Sequence, residues 1–328
     1  MTLIKRIALV IFSTIFTFLI LELTFRSFDP VRFQSFIEHS TETWELPFEG
    51  CFSESYFLPS RTLGYEMAPN SKRLGSNSLG MKDKERTKDK SAGIYRIICL
   101  GDSTTANSDY VNILEELLNE KEAEREFEVW NCGVMGYNAT QYCRALEEKW
   151  LKYNPDMVIV GFCLNDFDTT PLVIREGNQL IGYFPYREIL QKVNPFLLRH
   201  SALYRFIIMK LFFQRANNYN DAAEQVRLSL QETKRLLAAK DVRFLIVILG
   251  IVERMEDSRW RENYKETKKI IKDYHIESLD IVPLFEKNEP EALMWLNQKD
   301  KIHFNKKGSQ IIAEAIRFYL KQDPKEEK

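Results

Sequence analysis

No Cys-x-x-Cys pair occurs in the 328 residues, and the five cysteines (Cys51, Cys99, Cys132, Cys143, Cys163) have no zinc-ligand spacing. Their odd number excludes a complete disulfide framework. Three of them fall in or just after apolar strand-like runs, where a buried free thiol is expected. A strong charge of either sign is also missing. The formal net charge is −1 with ordinary charged and apolar fractions, so nothing suggests a nucleic-acid surface or an acidic partner. There is no phosphate loop, no metal-ligand cluster and no internal repeat. No cofactor, metal or nucleic acid is therefore expected. The length suffices for one large core with appendages.

The amino terminus is the longest apolar stretch. Lys5 and Arg6 precede an uncharged run from Ile7 to Leu21, and beyond Glu22 apolar character resumes to Phe25. As a helix, Ile7 to Phe25 spans roughly 28 Å, close to a bilayer core of about 30 Å. Three readings compete: a cleaved signal peptide, a buried soluble helix, and an uncleaved anchor. No Ala-x-Ala-like site follows the run, and its all-round hydrophobicity argues against the soluble helix. We favour the anchor, over residues 1–27, with Lys5 and Arg6 inside and the rest of the chain outside a cytoplasmic membrane, in a single pass.

Residues 28–93 read as a connecting region. It is aromatic-rich and irregular to Asn70, loop-like to Gly80, and a solvated mixed-charge run from Met81 to Ser91. From 94 to 322, strand and helix patterns alternate. Apolar strands are expected at Ile97 to Leu100, Phe127 to Trp130, Met157 to Val160, Phe244 to Leu249 and Leu279 to Val282. Helices are expected over 139–153, 221–240 and 261–274, with a last one capped by Asn305 and running to about Gln322. That alternation predicts an α/β fold, a parallel sheet covered by helices on both faces. Residues 170–220 interrupt it with an aromatic-rich insertion: a cover over the pocket, a surface resting against the membrane, or added core. The charged tail 323–328 is expected to fray.

Polar residues gather at the strand ends. Ile97 to Leu100 breaks into Gly101-Asp102-Ser103, where Gly101 permits a tight turn and Asp102 or Ser103 either caps the next helix or does chemistry. The second strand ends in Asn131-Cys132-Gly133-Val134-Met135-Gly136, and the third in Asn165-Asp166. Parallel strands bring these ends to one edge of the sheet. Asp300 stands three residues before His303, just ahead of the last helix, a spacing that lets a carboxylate hold an imidazole in its proton-accepting tautomer. Ser, His and Asp candidates thus stand beside amides able to stabilise an oxyanion. His39, His200 and His275 sit in no comparable constellation.

These four segments, Gly-Asp-Ser, Asn-x-Gly-x-x-Gly, Asn-Asp and Asp-x-x-His, resemble in order and spacing the blocks of the SGNH, or GDSL-like, hydrolases over roughly residues 95–320. The resemblance implies a three-layer α/β/α sandwich of flavodoxin-like order. It makes Ser103 the nucleophile, His303 the base and Asp300 its orienting carboxylate. The Ser103 amide, the Gly136 amide and the Asn165 side chain would form the oxyanion hole. Gly133 would shape its loop and Asp166 hold its turn. Two positions depart from the pattern. Thr104 stands where GDSL has Leu, and Cys163 where Gly usually precedes the Asn, so its side chain is expected to narrow the pocket or tilt Asn165. Cys163 as a rival nucleophile lacks a nearby His in sequence. Asn70 with Asn77-Ser78-Leu79-Gly80 resembles a stretch before the catalytic block of anchored members, with no role assigned. The implied activity is a membrane-anchored serine esterase, its substrate an ester-bearing small molecule, lipid or glycan. The alternative is an O-acyltransferase acting on extracytoplasmic polysaccharide. A binding protein that has lost activity is less favoured, because the whole set is present.

Overall fold

Ile97 to Leu100, Met157 to Phe162 and Phe244 to Ile248 are almost unbroken apolar runs, and such strands are stable only where both faces of their sheet are covered. The computed structural model, which describes residues 3–27, 57–60, 62–72, 74–120, 125–167, 172–176, 179–184, 194, 197, 201–204, 206–207, 219–249, 258–287, 293 and 303–322, has that architecture. In chain order it contains α1 (Leu3–Ser27), β1 (Phe57–Ser60), β2 (Gly64–Met67), β3 (Ile94–Gly101), the one-turn α2 (Ser103–Ala106), α3 (Tyr110–Leu118) and β4 (Glu126–Asn131). Then come α4 (Ala139–Ala145), β5 (Met157–Phe162), the hairpin strands β6 (Leu172–Glu176) and β7 (Gln179–Phe184), and α5 (Tyr219–Ala238). The series ends with β8 (Arg243–Ile248), α6 (Ser258–Asp273), β9 (Glu277–Asp280), α7 (Val282–Glu286) and α8 (Lys306–Lys321).

The central sheet has the order β4-β3-β5-β8-β9, and every neighbouring pair is parallel. Side chains alternate between its two faces as the pleat requires. Ile98, Leu100, Val158, Val160, Ile246 and Ile248 join one buried cluster, with Tyr142 of α4, Leu230 of α5 and Ile270 of α6. Ile97, Cys99, Met157, Ile159, Leu245 and Val247 join the other, with Val111 and Leu114 of α3 and Ile312 and Ile316 of α8. Each fully buried Ile or Val contributes about 1.5–3 kcal/mol relative to an exposed one. Two helical layers thus enclose one sheet. The strand order reverses between β3 and β5, where chain leaves the sheet centre in opposite directions.

Some elements differ from expectation. The 139–153 helix keeps α geometry only to Ala145, passes through a π turn (Leu146–Trp150) and a 3₁₀ turn (Leu151–Tyr153), and stops at Asn154 in left-handed conformation. The last strand ends at Asp280, not Val282. Asp280 Oδ1 accepts the Val282 N–H at 3.2 Å, and Pro283, in the first turn of α7, cannot continue a ladder. Asn305 does cap α8, accepting the Gly308 N–H at 3.0 Å.

The stretch before the sheet is more ordered than its composition suggests. Phe57–Ser60 and Gly64–Met67 pair antiparallel, and Leu63, Tyr65 and Met67 enter the first core cluster. The mixed-charge run is folded against β4 at Asp83 and Arg86, while Lys84, Glu85 and residues 87–89 remain exposed. Asp83 accepts the Asn131 N–H at 3.0 Å, Glu115 accepts the Val129 N–H at 2.7 Å, and Arg86 donates to the Val129 carbonyl at 2.6 Å. Asn119 makes the same exchange with Phe127, accepting its N–H and donating to its carbonyl, both at 2.8 Å. Side chains therefore satisfy the outer edge of β4, which would otherwise template pairing with another chain. The charges survive burial because Arg86 bridges Asp83 (2.9 Å) and Glu115 (2.6 Å).

Candidate active site

The ends of β3 and β5, which carry Ser103 and Asn165, meet at the reversal point between these strands. At the end of β3 the chain must turn so tightly that a Cβ on Gly101 would lie 2.0 Å from Thr105 Oγ1. Gly101 is thus required for close approach; its φ is not in the left-handed range. Asp102, with no exposed surface, then caps α2. Its Oδ1 accepts the Thr104 N–H (2.8 Å) and the Thr104 hydroxyl (2.6 Å). Thr104 at the usual Leu position therefore adds a hydrogen bond that Leu lacks. Ser103 is the first residue of α2 and is partly exposed at the sheet's carboxyl edge.

Asn165 arrives from β5, in the short turn Leu164–Phe167. Its Nδ2 donates to Asp102 Oδ2 at 3.0 Å, which ties the end of β5 to the end of β3 beside Ser103. The amide orientation follows from the carboxylate, which only accepts, and the second N–H remains for another acceptor. Asp166 holds this turn: it accepts the Cys163 N–H at 3.0 Å and the Tyr142 hydroxyl at 2.6 Å. Burial and the neighbouring Asp166 and Asp102 carboxylates push the Tyr142 phenol well above its ordinary range, so it stays a donor.

The loop after β4 closes the same edge. Val134 donates to the Gly101 carbonyl at 2.9 Å, Asn131 Nδ2 to the Thr105 carbonyl at 3.2 Å, and Gly133 N–H to Asn131 Oδ1 at 3.2 Å. Gly136 has φ +76° and is exposed; a Cβ there would lie 2.7 Å from the Tyr65 hydroxyl. That hydroxyl donates to the Met135 carbonyl at 2.6 Å, and Tyr137 in turn bonds the Tyr65 carbonyl. Tyr65, on β2, thus buttresses the loop from a segment whose sequence carries no chemical signal. Hydrogen bonds of Asn138 to the Thr140 and Gln141 N–H groups start α4 directly behind it.

Ser103, the Gly133–Gly136 loop and Asn165 are therefore brought together. His303 stands on the turn leading into α8, partly buried. Ser309, in the first turn of α8, accepts the Asp109 N–H at 3.3 Å, so the start of this helix lies against the segment following α2. Asp300 lies outside the described residues. Cys163 does not face the pocket. Its side chain is fully buried in the first core cluster. Burial, with Asp102 and Asp166 nearby, pushes this thiol well above its ordinary range. The expected crowding is absent, and a protonated, enclosed sulfur is a poor nucleophile.

The model of the GDSL-like lipase/acylhydrolase family matches residues 99–311, more than half of the chain. The chain belongs to that family. This GDSL-like chain accordingly has the SGNH hydrolase fold and is a hydrolase of the ester-cleaving class. It is similar to the acetyl xylan esterase AlAXEase (16% identity, 69% of this chain and 99% of that one, TM-score 0.44). It is also similar to a lipase/acylhydrolase from Enterococcus faecalis (14%, 70% and 96%, 0.45) and to TesA (14%, 69% and 98%, 0.44). No curated protein matches the sequence.

Proposed function

We propose that this GDSL-like hydrolase is a membrane-anchored serine esterase working through an acyl-serine intermediate. The observation that carries the reading is the Asn165 to Asp102 hydrogen bond, which holds a side-chain amide beside Ser103 across the reversal of the sheet. In this reading Ser103 Oγ attacks the ester carbonyl while His303 removes its proton, with Asp300 fixing the imidazole tautomer. The carbonyl oxygen becomes an oxyanion and is met by the Ser103 and Gly136 amides and the second Asn165 N–H. Collapse of the intermediate breaks the ester C–O bond, and His303 returns the proton to the departing alcohol. Water, deprotonated by His303, then attacks the acyl-serine and releases the acid.

The anchor in this reading is α1. Its 25 residues span roughly 37 Å, enough to cross a bilayer with some tilt. Among them only Glu22 and Phe25 are even partly covered by the rest of the chain. Lys5 and Arg6 would hold its start in the cytoplasm, leaving the catalytic domain outside. The full chain in detergent should hydrolyse short-chain aryl esters, and Ser103→Ala should reduce the rate to background. Adding an acceptor glycan with free hydroxyls separates hydrolysis from acyl transfer, because transfer consumes the ester without releasing the free acid. Equal turnover by the Ser103→Ala variant would overturn the assignment.

A further inference from the structure

A carboxylate inside an apolar helix is costly unless it is bonded, and Glu22 interrupts α1 near its carboxyl-terminal end. Its bonds lead to the insertion. Glu22 Oε2 accepts the Ser201 hydroxyl at 2.7 Å and the Leu203 N–H at 3.1 Å, while Oε1 accepts the Ala202 N–H at 2.8 Å. Residues 202–204 and 206–207 are helical, so these amides are among the first-turn donors that lack an intrahelical partner. Ser201 completes the cap by accepting the Tyr204 N–H at 3.0 Å. One turn along α1, the Phe25 ring packs on Phe206 at 4.4 Å between centroids. Arg26 pairs with Glu22 at 2.8 Å. Glu22 and Phe25, three residues apart on one face, are the two partly covered positions of α1, and both face this segment.

We propose that Leu197, residues 201–204 and residues 206–207 belong to an interfacial element, seated on the outer end of the anchor by Glu22 and lying in the headgroup–acyl boundary of the bilayer. The occupant of its exposed apolar side is the phospholipid membrane itself. Three observations favour that partner. The segment packs against α1, a helix whose other side chains are all exposed. It presents Leu197 and Ile207, 41% and 43% exposed, next to that helix. Its sequence continues with Lys210 and Arg215, after Arg205, cations suited to anionic headgroups. A domain held at two adjacent points keeps a fixed orientation to the membrane, where a single tether would let it tumble.

The inference rests on the anchor reading, and the test separates the two. The full-length protein, in a Cys51→Ser background, is reconstituted into phosphatidylcholine/phosphatidylglycerol vesicles with a nitroxide on Ile15→Cys, Ile207→Cys or Phe318→Cys. The remaining cysteines, Cys99, Cys132, Cys143 and Cys163, are buried. Collision with oxygen, concentrated in lipid, is compared with collision with a water-soluble nickel chelate. The Ile207 label should read an intermediate depth, between the Ile15 label in the bilayer core and the Phe318 label in water. Glu22→Ala should move the Ile207 label to the Phe318 value and leave Ile15 unchanged. An Ile207 label as aqueous as Phe318, or as deep as Ile15, while Ile15 reads the core, overturns the interfacial element and leaves the anchor intact. An aqueous Ile15 label overturns the anchor reading. No response of Ile207 to Glu22→Ala overturns the role given to Glu22.

Discussion

Asp102 has both carboxylate oxygens occupied and no exposed surface, so the Ser103 turn and the Asn165 turn share one buried acceptor. This arrangement fixes the direction of the Asn165 amide before substrate arrives, which is the preorganisation that oxyanion stabilisation needs. Asn165→Ala should therefore lower kcat about 10²- to 10³-fold, roughly 3–4 kcal/mol, with little change in KM. Steady-state kinetics on an aryl ester would show it, and a change confined to KM would argue against an oxyanion role. The sequence named Ser103, Gly136 and Asn165 by their place after apolar runs. It could not show what Cys163 does, because whether a side chain points into the pocket or the core depends on how the turn is rolled. Asp166, accepting the Cys163 N–H, sets that roll and sends the thiol inward. Tyr65 and the Thr104 hydroxyl were equally hidden, since their partners lie across a turn or some seventy residues away.

At the scale of elements, the legible part of the fold was the part written in hydrophobic periodicity. Each sheet strand was placed to within three residues at either end, because a run apolar on both sides has few other solutions. The stretch from 57 to 91 escaped, because its order comes from long-range polar pairing rather than from local pattern. Arg86 is the clearest case. In sequence it is one charge in a solvated-looking run, yet it bridges two carboxylates and a β4 carbonyl in the interior. Arg86→Ala would leave the buried Asp83 carboxylate without its cation and Glu115 with only the exposed Lys84, and should cost about 3–5 kcal/mol of stability. Urea unfolding of the otherwise intact chain would measure that cost. A loss below about 1 kcal/mol would mean that water already reaches the pair.

For the whole molecule, the functional reading joins an apolar helix, an ester-cleaving fold and an insertion leaning on the helix. Topology is the first thing to establish. A reporter active only outside the cytoplasm, fused after Gln322, should be active in bacterial cells if, as proposed, Lys5 and Arg6 hold the start of α1 inside. Cytoplasmic reporter activity would reverse that orientation. The central claim, however, is the nucleophile. The full chain should be treated with a serine-directed phosphonate, digested, and the modified peptide sequenced by mass spectrometry. The account predicts one adduct, on Ser103, absent from Ser103→Ala and formed more slowly in Asn165→Ala. A phosphonate carried by any other residue would contradict it.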